Sequence, residues 1–107
     1  MLSNQEVINP RLLTALERYV VDGKPSGSFM RAFIAGDLHA AFRRADLESS
    51  RCMKAMHMFL VNYAPADCYG TQENYRRWLA EGGSPESFKS VMQNRFEKYR
   101  SEHYETA

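Results

Sequence analysis

The chain has 107 residues, a net charge of +1, and 44% hydrophobic and 25% charged residues. These are the figures of one small globular domain, with room for a single core that needs no metal or disulfide to fold. No apolar run approaches the roughly 18 residues that cross a bilayer, so no membrane partner is expected. Met1 to Asn9 carries neither the basic nor the apolar region of an export signal, and a cytoplasmic location is the expectation.

Apolar and polar residues rarely alternate, whereas several windows carry helical spacing between start and stop signals, so the expected fold is all-α, one bundle of five or six short helices. The first helix opens with Asn9 as cap and Pro10 in its first turn, where the missing N–H is one that lacks a helical partner anyway. Its stripe is Leu12, Leu13, Leu16 and Val20, closed by Gly23, and Lys24-Pro25-Ser26-Gly27 is a loop. Ser28 is the expected cap of a short helix through Ala35 that is apolar on nearly every side and therefore buried. Gly36 breaks it. Asp37 caps the next helix, in which Leu38, Ala41, Phe42 and Ala45 share one face, expected to look inward with Arg43 and Arg44 off the stripe.

Asp46 caps the longest helix, Leu47 to about Ala64, which is apolar over much of its circumference and so is either central or covered by a partner. Pro65 ends it and Ala66 to Gly70 is a turn. Thr71 caps a helix bearing Tyr75, Trp78 and Leu79 that Gly82 and Gly83 terminate. Ser84-Pro85-Glu86 starts the last helix, whose face is Phe88, Val91, Met92, Arg95, Phe96 and Tyr99, with fraying expected after Tyr99. Residues 1–107 read as one helical domain with a flexible segment 1–8, a last helix over 84–104 that the double glycine leaves free to dock separately, and a frayed tail 100–107.

No residue pattern carries a strong chemical signature. His39, His57 and His103 have no zinc-site spacing, and there is no CxxC, HExxH, P-loop or GxGxxG, so neither a metal nor a cofactor is expected. Cys52 and Cys68 read as reduced, partly buried thiols, and a nucleophilic pairing of either with His57 is the weakest of the functional ideas. Asp37 and Asp46 stand where helix caps are needed. From Lys24 to Pro65 six basic residues face three acidic ones. Arg43, Arg44, Arg51 and Lys54 in that stretch support an alternative function, a small nucleic-acid-binding accessory protein on a helix-turn-helix-like pair. Against it, the second helix is rich in Met and Phe where base edges ask for polar side chains. Six methionines with six Phe and six Tyr suit an adaptable core or an adaptable binding surface.

The segments Ala15-Leu16-Glu17-Arg18-Tyr19-Val20, Gly23-Lys24-Pro25-Ser26-Gly27-Ser28-Phe29-Met30-Arg31-Ala32, Asp37-Leu38, Ala41 and Arg44-Ala45-Asp46 together form a pattern. It resembles a family of small proteins encoded by phages, prophages and neighbouring proteobacterial genomes, which read as a helix, a glycine-proline loop, GxFLxAVLxNDLxxAxxRAD, an apolar helix and a second motif with Pro, Cys or Ser, and Trp. The resemblance covers roughly two thirds of the chain, Leu13 to Leu79, with Pro65, Cys68, Gly70 and Trp78 echoing the second motif. Tyr69 and Thr71 depart from its Trp and Ser, and Gly36 stands where Asn is common. What it implies is a setting, in which small helical proteins bind and block a host protein, and no catalytic residue.

The expected function is therefore a non-enzymatic interaction module, in its sharpest form an inhibitor or antiactivator of a host transcriptional regulator or defence complex, and expected as a homodimer. The candidate partner-binding residues are Arg43, Arg44, Arg51, Met53, Lys54, Met56, Phe96 and Tyr99.

Overall fold

A computed structural model describes residues 7–104. Among them are six α-helices and no strand: α1 Pro10–Asp22, α2 Ser28–Ile34, α3 Leu38–Arg44, α4 Leu47–Tyr63, α5 Gln72–Glu81 and α6 Glu86–His103, with a 3-10 turn at Ala66–Cys68 between α4 and α5. The all-α bundle expected from the spacing is the fold that forms.

The start signals work largely as read. The Asn9 side chain accepts from the Arg11 N–H at 2.8 Å, Asp37 from the Ala40 N–H, Asp46 from the Ser49 N–H and Thr71 from the Asn74 N–H. Two expected caps do other work. Gly27, not Ser28, is the cap residue of α2, and it offers no side chain to the helix. Ser84 does not cap α6; its hydroxyl donates to the Val20 carbonyl at 2.8 Å.

That last bond belongs to a cluster that anchors the second half of the chain on the end of α1. The final carbonyls of a helix have no partner within it. Here Trp78 Nε1 donates to the carbonyls of Tyr19 and Val20 at 3.0 and 3.1 Å, and Lys89 Nζ donates to the carbonyl of Val21 at 2.7 Å. A cation at the negative end of the helix is favourable in itself. The last helix, which the double glycine was expected to leave free to dock separately, is thus tied to the end of α1. A Cβ on Gly83 would stand 2.5 Å from both Gly23 N and the Val21 oxygen, so the chain crosses itself there backbone to backbone.

The core is continuous. Leu13, Leu16, Val20, Ile34, Met56, Leu60, Met92 and Phe96 are all essentially sealed from solvent. Tyr19 lies among them, stacked on Tyr75 with ring centres 5.3 Å apart, and donates its hydroxyl to the Cys68 carbonyl at 2.7 Å. Burial pushes its ionisation far above the ordinary phenol range. Phe59 of α4 meets Phe96 of α6 at 4.6 Å, which holds these two long helices together.

Both expected loose ends are corrected within the described residues. Ile8 is fully buried, its N–H donated to the Tyr99 hydroxyl at 3.0 Å and its carbonyl receiving the hydroxyl of Tyr104. Since that clasp needs the end of α6, the helix continues past Tyr99 to His103, with Arg100 paired to Glu17 of α1 at 2.6 Å. Residues 1–6 of the expected flexible segment and 105–107 of the expected tail lie outside the described residues.

Candidate protein-interaction surface

The molecule measures 40 × 33 × 19 Å. Its short dimension is about two helix diameters, so every helix of the slab keeps one face outward. For α1 that face is polar. For α3 and α4 it mixes polar and apolar residues, and six of the seven large hydrophobic side chains exposed among the described residues stand on these two helices: Leu38, Phe42, Leu47, Met58, Val61 and Tyr63.

The stripe of α3 expected to look inward is mostly outside. Only Ala41 is sealed, while Leu38 is 57% and Phe42 59% exposed. The cause is rotation. α3 has seven residues and docks through the small pair Ala40 and Ala41, which lets its backbone approach the neighbouring helix closely. Leu38 and Phe42 lie to one side of that seam, one turn apart. They face a groove of about 470 Å³ whose floor includes Phe33, Leu60 and Tyr69 and whose rim includes Lys54 and His57.

α4 buries Cys52, Met53, Met56, Phe59 and Leu60 on its inner face. A second groove, of about 260 Å³, runs between its other flank and α6 over Phe59, Met58, Tyr63 and Tyr99, with Lys54, Lys98 and Glu102 beside them. Lys54 lines both grooves, which places the outward ridge of α4 between them.

The expected partner-binding residues divide accordingly. Met56 and Phe96 are fully buried and Met53 is 7% exposed; all three are core, because the inward arc of α4 and α6 is the one that meets the other helices. Arg43, Arg44, Arg51 and Lys54 are exposed, and none forms an ion pair among the described residues. They do not share one patch: Lys54 borders the two grooves, whereas Arg44 lies in a hollow with Arg11, Phe29 and Asp46. Tyr99 is half-buried, its ring edge-on to Phe59 at 5.5 Å and stacked on His103 at 4.1 Å. Of the eight residues, Lys54 and Tyr99 meet in the groove between α4 and α6, and Lys54 and Met53 line the groove beside α3. Sequence reasoning passed over Leu38, Phe42, Leu47, Met58 and Val61 as surface residues. A legible signal existed, since a helix with apolar residues around its whole circumference must leave some of them out in a slab two layers thick.

Both thiols are free and buried. Cys68 is sealed, and burial, assisted by the Asp67 carboxylate, pushes its thiol up to about 12, so it stays protonated at neutral pH. Cys52 Sγ lies 3.6 Å from the Val7 carbonyl and 3.4 Å from the Asn9 N–H, holding the segment before α1. His57 points away from it, being five residues on and therefore about 140° around the helix, and it is exposed. Among the described residues no three His, Cys, Asp or Glu side chains converge as metal ligands, and no helix is long and apolar enough to cross a membrane.

Compared with models of protein families, with curated proteins and with solved structures, the chain matches none.

Proposed function

We propose that this chain is a protein-interaction module that binds a host protein through the outward face of α3 and α4 and modulates it, most simply by covering a surface the host protein needs. The observation that carries this reading is the exposure of Leu38 and Phe42, more than half of each side chain in water beside a groove with an apolar floor. Scattered exposed hydrophobics are ordinary on any surface, but a contiguous apolar patch with a charged margin marks an interface. Lys54 supplies the charge at that margin, with the His57 ring beside it.

The test is co-purification from cells that encode the protein, after nuclease treatment, with the captured protein identified. Phe42→Asp should abolish capture of that protein, and Arg76→Glu on the exposed side of α5 should retain it. Capture unaffected by Phe42→Asp overturns the reading.

A second reading, a nucleic-acid accessory protein, rests on the four cations Arg43, Arg44, Arg51 and Lys54, which have no ion-pair partner among the described residues. It predicts a salt-sensitive shift of labelled duplex that charge reversal at Arg43 and Arg44 reduces. The apolar side chains interleaved with those cations fit a protein partner better than phosphates, because they gain from being covered and duplex backbone does not cover them.

A further inference from the structure

The outward face of α4 has a register. Leu47, Arg51, Lys54, Met58 and Val61 follow one another at spacings of four, three, four and three residues, and all five are exposed. This is the alternation of a coiled-coil seam, in which such residues form a single line on one helix and insert between the residues of a facing helix. The line covers 14 residue steps, about 21 Å. Its ends are apolar and its middle is doubly cationic.

The same line shows what does not cover it. In a parallel two-fold pair of α4 helices, Arg51 faces Arg51 and Lys54 faces Lys54 of a second copy; in an antiparallel pair about its centre, Lys54 still faces Lys54 and Arg51 faces Met58. α4 has a single acid, Glu48, which lies off the seam and accepts from the side-chain amide of Asn9. α3 contains no acid at all. In neither of these α4–α4 pairings does a carboxylate stand opposite Arg51 and Lys54, and like charges opposed across an interface select against the wrong partner. Beside the seam, α6 carries Lys98 and Glu102, 4.0 Å apart, and Arg95, whose guanidinium donates to the Tyr63 carbonyl at 2.6 Å.

We infer that the ridge of α4 pairs with an amphipathic helix of another protein whose seam is acidic at its two central positions and apolar on either side. This rests on the protein-interaction reading above and specifies its partner. Leu47 at one end and Met58 and Val61 at the other supply the area to be covered, while the two cations fix which helix fits and in which register.

Synthetic helical peptides of about three heptads, with Leu at the outer seam positions and either Glu-Glu or Lys-Lys at the two central ones, provide the probes. With the full-length protein and fluorescence anisotropy at low salt, the acidic peptide should bind at least about tenfold more tightly than the basic one. Both cations are exposed, so Arg51→Glu with Lys54→Glu should leave the fold intact, checked by circular dichroism, and should reverse the order of the two peptides. Arg43→Glu with Arg44→Glu, off the seam, should not. Equal affinities, binding of neither peptide, or a preference unmoved by the Arg51/Lys54 reversal overturns the inference. Loss of peptide selectivity with Phe42-dependent capture intact would refute this partner and keep the interaction reading; capture indifferent to Phe42 would refute the reading itself.

Discussion

Replacing Gly83 by Ala tests how tightly the two halves of the chain are joined. Gly83 has φ +92°, and an added Cβ would come 2.5 Å from Gly23 N and from the Val21 oxygen, both backbone atoms that cannot rotate away. A left-handed conformation costs a non-glycine residue about 1–2 kcal/mol. Relieving the overlap must pull the Gly82–Ser84 turn off α1, loosening the bonds from Ser84 and Lys89 to the Val20 and Val21 carbonyls. At about 1 kcal/mol for each of two bonds, the total is about 3–4 kcal/mol. Gly82 supplies the control, since it shares the conformation, φ +80°, but a Cβ there meets nothing within 4 Å. Gly82→Ala should cost only the conformational part, about 1–2 kcal/mol. With a urea slope of about 2 kcal/mol/M, the expected midpoint shifts are about 1.5–2 M for Gly83→Ala and about 0.5–1 M for Gly82→Ala. Gly27, at ordinary φ with open space around it, should change stability by no more than about 0.5 kcal/mol on replacement by Ala. Equal shifts at Gly82 and Gly83 would refute the close crossing.

Phe42→Ser should alter unfolding free energy by no more than about 0.5 kcal/mol because the ring is 59% exposed. Leu60→Ala, at 2% exposure, should cost about 2–5 kcal/mol; urea denaturation of the pair checks which side of the slab each occupies. Trp78→Phe keeps the buried ring but removes the donor to the Tyr19 and Val20 carbonyls, and should lower thermal stability by about 1–3 kcal/mol. Stability should also fall in alkali. The Cys68 thiol is pushed up to about 12 in the fold by burial and then by Asp67, whereas in the unfolded chain it ionises at about 8.5. Its contribution is complete below that lower value and is lost as pH rises toward the upper one, since the unfolded chain releases the proton first. Cys68→Ala should show a shallower loss of unfolding free energy over that window, measured by urea titrations at stepped pH.

The helices were legible because their ends carry chemistry that acts locally. Asn9, Asp37, Asp46 and Thr71 cap their helices whatever the rest of the chain does, and the glycines at 23, 36 and 82 adopt the positive φ that stops a helix. What sequence spacing could not settle was rotation. The stripe Leu38, Ala41, Phe42 and Ala45 is equally compatible with docking through its large residues or through its small ones, and the close approach allowed by Ala40 and Ala41 decided for the small ones. The role of Ser84 and the locking of Gly83 were equally hidden, because both depend on the end of α1, which lies more than 60 residues earlier in the chain. Of the candidate surface, the cations of α3 and α4 were identified from composition. Met53, Met56 and Phe96 read as part of it because they are apolar and adaptable, properties that serve a core equally well. Leu47, Met58 and Val61 carry the same side-chain chemistry and differ only in their angle around α4.

Site-specific photo-crosslinking in cells that encode the protein most directly tests whether α3 and α4 form the binding face. A benzophenone side chain is placed in turn at Phe42, at Met58 and, as control, at Arg76, all of them exposed. The expected result is one defined protein adduct shared by positions 42 and 58 and absent at 76. No adduct at 42, or the same adducts at all three positions, would contradict a docking face on these two helices.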